Sequence, residues 1–284
     1  MKRILVTGAN GQLGQSILEQ SKTYKEIECF FVTRNELDIT NEELIKHYFD
    51  DKSFDFVVNC AAYTAVDKAE DEQESAYLVN AKATEFLAKI TNEKKIPFIH
   101  VSTDYVFDGT ASQPRMETDQ TNPIGVYGQT KLEGENLALK NNPKSIILRT
   151  AWVYSRFGNN FVKTMLRLFQ EKESISVVAD QIGSPTNAID LADAILEIIS
   201  TNELTYGIFN YSNEGKCSWF EFAQKIKEFS SSTIEINPVP TSAYPTKAKR
   251  PAYSLLDKTK IKEVYQLTIP NWEDSLKKEL KHLL

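Results

Sequence analysis

The sequence predicts an α/β fold in which a doubly wound parallel sheet is followed by a smaller C-terminal α/β unit. Two patterns carry this prediction. The chain opens with a strand, a glycine turn and a helix, and apolar strands then alternate with amphipathic helices as far as Thr150. Such alternation is typical of Rossmann-like sheets, which bind ligands at the carboxyl ends of their strands.

The strand–helix alternation loosens after Thr150, which suggests a change of domain. We predict a dinucleotide-binding Rossmann domain over residues 1-150 and a mainly substrate-binding domain over residues 151-284. The boundary is soft, because elements of the second half can return to the sheet.

Composition narrows the class of protein. The chain has 284 residues, 41% of them hydrophobic, a formal charge of −6 and a pI of about 5.3, which argue against nucleic-acid and anionic-membrane partners. No apolar run approaches the ~18 residues of a membrane span. The three scattered cysteines suggest free thiols. We expect a cytoplasmic monomer or homodimer with a small-molecule substrate.

The first strand, Lys2 to Thr7, leads directly into the loop Gly8-x-x-Gly11-x-x-Gly14. A helix N-terminus offers unpaired N–H groups to a pyrophosphate, and glycines permit close backbone approach. The spacing is one residue longer than the commonest dinucleotide pattern, and the alternative is a flexible turn that merely enters a helix. The predicted cofactor contacts here are Gly8, Asn10, Gly11, Gln12, Leu13 and Gly14.

The end of the second strand, Cys29 to Thr33, bears on cofactor choice. NAD-selective folds place an acid at this point, whereas this chain has Arg34, which could pair with a 2′-phosphate. We therefore expect NADPH as cofactor, with NADH also accepted, although Arg34 could equally be a surface residue. Asp38 and Ile39 are placed to contact adenine. Thr40 to Glu43 reads as a capping box that opens the next helix.

The third strand, Phe54 to Cys60, is followed by Ala61, Ala62 and Tyr63. The small residues here would let a cofactor lie against the backbone, or they form a plain tight turn. A long helix from about Glu72 to Asn92 and a buried strand beginning at Pro97 follow. His100 within that strand reads as a core histidine rather than a ligand.

Tyr127 and Lys131 are four residues apart, so on a helix their side chains would share one face. A phenol is a poor acid–base catalyst at neutral pH, but an ammonium group and a hydroxyl (Ser102 or Thr103) beside it would favour the phenolate. Such a tyrosine could protonate a carbonyl oxygen during hydride transfer. Spacing alone proves little, since Tyr48 and Lys52 repeat it at the end of a charged surface helix.

The second half contains helices and strands in looser order. We expect helices from Phe161, at 189–200, 219–229 and 272–284, and strands at 175–179 and 207–211. An extended loop over 238–245 leads to Lys247, Lys249 and Arg250. These cations could meet a substrate diphosphate, or they could form a solvated basic loop.

Several sequence runs, spread along nearly the whole chain, together resemble the extended short-chain dehydrogenase/reductase family. They are TGANGQLG, NCAAYTAVDKAE, STDYVFDG, VYGQTKLEGE, RTAWVYS, GNNFVKTMLRL, DQIGSPT and PTSAYPT. The first-half runs fit many nucleotide-sugar enzymes, and the second-half runs are typical of reductases. The resemblance implies NAD(P)H-dependent reduction of the C4 ketone of a dTDP-linked sugar.

The resemblance also implies roles for particular residues. Thr103, Tyr127 and Lys131 would form the catalytic trio, and Thr103, Asp104 and Trp152 would contact substrate. Some members dimerise through a magnesium ion held by acidic residues. Ser16 and Ile189 stand at those positions, so we predict no metal.

Two alternatives stay open from the sequence. A 4,6-dehydratase or epimerase shares the fold and the Tyr/Lys pair, but such dehydratases carry Asp-Glu after the threonine, whereas Asp104 is followed by Tyr105. A binding protein is the second alternative, because the regulatory subunit of methionine adenosyltransferase resembles the same family.

Overall fold

The computed structural model describes all 284 residues and has at its centre a six-stranded sheet. The strand order is β10 (Gly207–Asn210), β5 (Ser145–Thr150), β4 (Phe98–Thr103), β3 (Phe56–Asn59), β1 (Lys2–Thr7) and β2 (Ile27–Val32), and every neighbouring pair is parallel. The order reverses between β1 and β3, so this sheet has the switch point at which doubly wound folds bind ligands. The predicted fold class is confirmed.

The strands of the main sheet are β1 (Lys2–Thr7), β2 (Ile27–Val32), β3 (Phe56–Asn59), β4 (Phe98–Thr103), β5 (Ser145–Thr150) and β10 (Gly207–Asn210). The remaining strands form two-stranded pairs: β6 (Val153–Tyr154) with β9 (Thr186–Asn187), β7 (Ser174–Val178) with β12 (Glu235–Val239), and β8 (Ile182–Gly183) with β11 (Cys217–Ser218).

The helices are α1 (Gln12–Gln20), α2 (Glu42–Tyr48), α3 (Val66–Ala69), α4 (Gln73–Tyr77), α5 (Ala83–Glu93), α6 (Val126–Asn141), α7 (Phe161–Glu171), α8 (Ala188–Ser200), α9 (Trp219–Phe229), α10 (Thr259–Tyr265) and α11 (Trp272–Leu280). No helix combines the length and the apolar composition that a bilayer crossing requires.

Each face of the main sheet carries its own hydrophobic core. One core joins β-strand residues such as Val6 and Val58 to α1, α8 and α10. The opposite core joins Leu5 and Val57 to α2, α5 and α6. Neighbouring residues of one strand therefore point into different cores, because side chains alternate across a strand. This is why the strands read as continuous apolar runs rather than as alternating ones.

A third core lies in the C-terminal half, where α7, α9 and α11 pack with β7 and β12. Three later elements nevertheless belong to the main sheet: α8 and α10 cover one face, and β10 extends its edge beyond β5. The chain crosses between the two units more than once, and the division at residue 150 stays a prediction.

The structure corrects several predicted boundaries. Asn41, not Thr40, caps α2, and it accepts from Leu44 N at 3.1 Å. The predicted long helix is continuous from Gln73 to Glu93 but contains a π-helical segment, Leu78–Lys82. Part of the predicted extended loop is the end of β12, where Pro238 is tolerated because the strand lies in a two-stranded pair.

A buried ion pair joins α6 to β5. The guanidinium of Arg149 contacts the carboxylate of Glu135 through Nη2 at 2.6 Å and Nε at 3.0 Å, and both side chains are almost wholly buried. The hydroxyl of Ser102 donates to the same carboxylate at 2.5 Å. Removal of one partner would leave an uncompensated buried charge.

We predict that Arg149→Met lowers the free energy of unfolding by about 3–5 kcal/mol, because Glu135 keeps its buried charge and loses its partner. Urea denaturation measures the change. Arg167→Met is the matched control, since the Arg167–Glu171 pair is exposed and should contribute less than about 1 kcal/mol. Equal effects of the two substitutions would contradict the prediction.

Candidate active site

A cleft of about 640 Å³ opens along the carboxyl ends of the parallel strands. It contains thirteen of the fourteen predicted cofactor residues. They are Gly8, Asn10, Gly11, Gln12, Leu13, Arg34, Asp38, Ile39, Ala61, Ala62, Tyr63, Tyr127 and Lys131. The exception is Gly14, which lies beneath the loop. The cleft therefore joins the glycine loop to the Tyr/Lys pair in one continuous groove, and the individual contacts stay predictions.

The glycine loop has the backbone geometry that a pyrophosphate requires. Gly8 has a φ of +70°, and a Cβ there would stand 2.7 Å from Ala61 N. A Cβ on Gly14 would stand 2.4 Å from the Gly8 carbonyl oxygen. Gly11 begins α1 without a side-chain cap, so no side chain occupies its first N–H groups. These residues fit a dinucleotide phosphate, which would use those donors.

Arg34 lies at the far end of the cleft, and its side chain is 79% exposed. Its Nε is 3.6 Å from Asp38 Oδ2, which leaves the guanidinium face open. The Asp38 carboxylate accepts from the hydroxyl and N–H of Thr40, and these bonds lower the pKa of Asp38. Arg34 is thus an exposed cation with one anionic neighbour, Asp38, which suits recognition of an additional phosphate.

Hydrogen bonds fix the segment after β3. The N–H of Tyr63 donates to Asn80 Oδ1 at 2.8 Å, and Asn80 Nδ2 donates back to the Tyr63 carbonyl at 3.1 Å. The Tyr63 hydroxyl donates to Glu72 at 2.7 Å. The backbone of Ala61 and Ala62 is consequently held against Gly8, as the close approach of the two loops requires.

Tyr127 stands in the first turn of α6 and is surrounded by buried groups. Burial raises the pKa of Tyr127 to about 12, while a hydrogen bond with Thr103 opposes the rise. The Thr103 hydroxyl itself donates to Asp104 Oδ1 at 3.0 Å. The ring of Tyr105 packs edge-on against Tyr127 at 5.4 Å between ring centroids. At neutral pH the phenol is therefore protonated and ready to donate.

Lys131 lies one helical turn later and is only 1% exposed. Its ammonium donates to the Val101 carbonyl at 2.6 Å and lies 3.3 Å from His100 Nε2. Burial lowers the pKa of Lys131 to about 8, and Glu135 and Cys60 oppose the fall. The expectation that Lys131 lowers the pKa of the Tyr127 phenol is not met in the protein alone. Burial has the largest effect on that pKa, and the Lys131 ammonium contacts Val101 and His100 on β4 instead.

The predicted substrate residues lie beside the cleft rather than in its lining. Asp104 is buried, and this burial raises its pKa to about 6. Hydrogen bonds with the hydroxyls of Ser254 and Thr103 oppose the rise. Its Oδ2 has no hydrogen-bond partner, and neither does Nη1 of Arg250. Arg250 Nη2 donates to Asp67 at 2.6 Å. Unpaired buried polar atoms are costly unless a ligand satisfies them.

Trp152 lies two residues after the end of β5 and has a left-handed backbone, with a φ of +48°. Its indole stacks on that of Trp219, with ring centroids 3.6 Å apart and planes at 10°. Gly183 packs against the same indole, since a Cβ there would meet Trp152 at 2.7 Å. Sequence reasoning missed Trp219, although it is the first residue of a helix and one of only three tryptophans.

The sequence also missed the second-half residues that enter the cleft. Gly158 and Asn159 line it opposite the glycine loop. The amide of Gln12 joins the two sides: its Oε1 accepts from Ser155 Oγ at 3.2 Å and from Asn160 Nδ2 at 2.9 Å. The run Gly158-Asn159-Asn160 could have signalled this position, because glycine and asparagine mark a tight turn.

Comparisons with known proteins agree with this geometry. The family model described as the RmlD substrate binding domain matches residues 1–284. A dTDP-4-dehydrorhamnose reductase of Aggregatibacter actinomycetemcomitans is 42% identical, with 98% of both chains covered, and that of Escherichia coli K12 is 38% identical over 99% of this chain and 97% of its own. The chain belongs to the dTDP-4-dehydrorhamnose reductase family.

Solved structures of this reductase family are also similar. A Clostridium acetobutylicum dTDP-4-dehydrorhamnose reductase is 42% identical with a TM-score of 0.95, and 99% of each chain is covered. A Bacillus anthracis member in complex with NADP is 38% identical, with the same TM-score and coverage. The resemblance to the extended short-chain dehydrogenase/reductase family is confirmed. Within that family, the comparisons identify the dTDP-4-dehydrorhamnose reductases as the relatives of this chain.

Ser16 and Ile189 stand where some members of the reductase family carry metal-binding acids, and the absence of a metal stays a prediction. Ser16 is buried within α1, where its hydroxyl donates to the Gln12 carbonyl at 2.8 Å. Ile189 is apolar, and the adjacent Asp190 accepts from Asn213 and Ser275. No group of three or more His, Cys, Asp or Glu residues is arranged to hold a metal ion.

We predict that Asp104→Asn stabilises the fold at neutral pH but not in acid. The folded state raises the pKa of Asp104 from 3.8 to about 6, so the carboxylate destabilises the protein increasingly as pH rises through that interval. The increase in the free energy of unfolding of Asp104→Asn should reach about 3 kcal/mol above pH ~6. Urea denaturation at several pH values measures it.

Asp180→Asn is the opposite control, because hydrogen bonds from Thr241 lower the pKa of Asp180. Its carboxylate contributes stability that is present at neutral pH and lost in acid, so this variant should be destabilised at neutral pH. A pH-independent effect of Asp104→Asn would show that the Asp104 carboxylate carries no desolvation penalty.

Proposed function

We propose that this protein reduces the C4 ketone of dTDP-4-dehydro-L-rhamnose to dTDP-L-rhamnose with NADPH, and that NADH is also accepted. The observation that carries the proposal is the single cleft that joins a phosphate-binding loop to a buried tyrosine. Membership of the reductase family and a similar structure in complex with NADP support the substrate and the cofactor. We further propose a cytoplasmic location.

In this proposal the cleft residues hold the cofactor in two parts. The uncapped first turn of α1 and Gly8 would receive the pyrophosphate, and Arg34 would meet a 2′-phosphate. Ala61 and Ala62 leave their backbone free for close contact. When bound, NADPH supplies the hydride.

Tyr127 acts as the general acid. Its phenol is protonated at neutral pH because burial raises its pKa, and an alkoxide that forms at C4 is a stronger base than a phenolate. The proton therefore moves from Tyr127 to the new hydroxyl oxygen. The Thr103 hydroxyl, which donates to Asp104 in the protein alone, would turn its proton toward the phenolate that remains and stabilise it, in keeping with its lowering of the Tyr127 pKa.

The substrate end is polar and buried. Asp104 Oδ2 and Arg250 Nη1 each lack a partner, so a sugar hydroxyl and a phosphate oxygen would complete their hydrogen bonds. Trp152, held by Trp219, offers an apolar edge beside them. This combination suits a sugar linked to a diphosphate, with Thr103, Asp104, Trp152 and Arg250 as substrate residues.

Two alternatives are weaker. A 4,6-dehydratase needs an additional acid, and the residue after Asp104 is Tyr105, a phenol whose pKa burial raises well above neutrality. A purely binding role resembling a regulatory subunit would leave NADPH unconsumed. Loss of NADPH absorbance that depends on the dTDP-4-keto sugar separates an enzyme from a binding protein.

We predict that Tyr127→Phe lowers kcat by on the order of 10²–10⁴-fold, because it removes the proton donor. Cofactor affinity, measured by fluorescence titration, should change little. Steady-state NADPH oxidation with dTDP-4-dehydro-L-rhamnose measures kcat. Wild-type turnover by the folded variant would exclude Tyr127 as the acid.

Tyr48→Phe is the matched control, because Tyr48 and Lys52 share the same spacing outside the cleft. The Tyr48 ring stacks on Phe54 at 6.3 Å, and the hydroxyl is not needed for that contact. This variant should retain wild-type kcat. A large loss of kcat in a normally folded Tyr48→Phe variant would show that the reaction centre is at Tyr48 rather than at Tyr127.

We predict that Arg34→Ala reduces kcat/KM for NADPH by about 10- to 100-fold and that for NADH by less, because a phosphate–guanidinium contact is worth on the order of 1.5–3 kcal/mol. The ratio of the two kcat/KM values is the measurement. Arg167→Ala is the control, since Arg167 also pairs with an acid four residues away, outside the cleft. An unchanged ratio would make Arg34 a surface residue.

A further inference from the structure

A chain of four buried polar side chains leads from the end of β1 to the ammonium of Lys131. The Thr7 hydroxyl lies 2.6 Å from Asn59 Oδ1, and Asn59 Nδ2 lies 3.0 Å from His100 Nδ1. His100 Nε2 in turn lies 3.3 Å from Lys131 Nζ. Each of the four side chains is at most 1% exposed. No solvent is available to compensate a mismatch of donors and acceptors in this chain.

The imidazole of His100 carries one N–H and no charge. Complete burial and the neighbouring Lys131 hold its pKa well below the ordinary value. A neutral imidazole has one donor nitrogen and one acceptor nitrogen. If Nε2 accepts a hydrogen bond from Lys131, Nδ1 must therefore carry the proton and donate to Asn59.

Two arrangements pair all four groups. When Lys131 is an ammonium, it donates to Nε2, Nδ1–H donates to the amide oxygen of Asn59, and the amide nitrogen faces Thr7. When Lys131 is a neutral amine, Nε2–H donates to it, Nδ1 accepts from the amide nitrogen, and Thr7 donates to the amide oxygen. The second arrangement has the Asn59 amide as the structure orients it, and the first is reached by turning that amide over. An ammonium, which cannot accept a hydrogen bond, thus permits only the first arrangement, whereas a neutral amine also permits the second.

We propose that His100 is a positioning residue of the active site: its neutral imidazole accepts a hydrogen bond from the Lys131 ammonium, holds it against β4 and changes tautomer when Lys131 loses its proton. The proposal rests on the proposed function only in taking Lys131 as part of the catalytic trio. His100 does not reach the cleft, and it acts through Lys131.

The groups around Lys131 explain why this contact matters. Glu135 approaches from α6, Cys60 from the end of β3, and Val101 and His100 from β4. Neither Glu135 nor Cys60 is hydrogen-bonded to Nζ, and burial lowers the pKa of Lys131 to about 8. Both protonation states are therefore populated near neutral pH. An acceptor at Nε2 favours the ammonium, so its loss should lower that pKa further.

The first test observes the tautomer in the full-length protein without added ligands. Nitrogen-labelled histidine and long-range proton–nitrogen correlation show which imidazole nitrogen is protonated. The chain has three histidines, and His47→Phe and His282→Phe variants assign the other two signals. We expect His100 to be neutral throughout, with N–H on Nδ1 below pH ~8 and on Nε2 above it.

A positively charged His100 near neutral pH, or one tautomer from pH ~6 to ~10, would overturn the proposal. Lys131→Met gives an internal check, because a methionine has no proton to lose. In that variant the tautomer of His100 should not depend on pH. This experiment does not use activity, so it decides the proposal even if dTDP-4-dehydro-L-rhamnose is not reduced.

The second test compares two substitutions of His100 by activity. His100→Phe keeps an aromatic ring beside Phe98 but removes the acceptor, whereas the His100→Gln amide can place an oxygen near the position of Nε2. We expect His100→Phe to lower kcat about 10- to 100-fold and to move the alkaline loss of activity down by about one pH unit. His100→Gln should recover most of the lost kcat and most of the shift in the pH profile. The KM for substrate should change little in either variant.

Thr91→Val controls for the loss of a buried polar contact. The Thr91 hydroxyl oxygen accepts a hydrogen bond of 2.9 Å from Asn142 Nδ2, and neither residue lines the cleft. It should lower stability without moving the pH profile. A profile for His100→Phe that superimposes on the wild type, or a glutamine no better than phenylalanine, would reduce His100 to a packing role. Absence of turnover in the wild type would instead refute the proposed function.

Discussion

The burial of one ammonium group, that of Lys131, constrains most of the active site. A charge removed from water is costly unless donors and acceptors compensate it. Here the compensation comes from the Val101 carbonyl and His100 on β4, with Glu135 one turn along α6. These contacts require β4 and α6 to keep a fixed spacing. The buried Glu135–Arg149 pair supplies that rigidity by joining α6 to the next strand.

Tyr127 depends on the same arrangement but not in the way its spacing from Lys131 suggests. In the protein alone the phenol pKa is raised, because burial outweighs the hydrogen bond with Thr103. A reductase needs its acid protonated before hydride transfer, so a high phenol pKa is compatible with the reaction. Lys131 lines the cleft, and its hydrogen bonds run to β4 rather than to the phenol.

Much of the fold could be predicted because its signals are local. The glycine loop, the apolar strands and the Tyr/Lys helix each lie within a few residues, and their positions after strand ends bring them to one edge of a parallel sheet. The contacts that complete the site are long-range. Gln12 binding Ser155 and Asn160, and Trp219 stacking on Trp152, join residues that no local pattern relates. The return of β10 to the sheet is similarly a matter of tertiary packing.

The two Y-x-x-x-K matches show why spacing needs its structural context. Helix α2 ends at Tyr48, so Lys52 lies beyond it and places its ammonium over the Tyr48 ring at 3.6 Å from the centroid. Tyr127 instead opens α6, and the helix carries Lys131 onto the same face and into the interior. One lysine remains partly hydrated above an aromatic ring, and the other is desolvated between strand ends. Identical spacing therefore gives a surface cation–π contact in one place and the proposed reaction centre in the other, because only α6 continues through both residues and presses them against the carboxyl edge of the sheet.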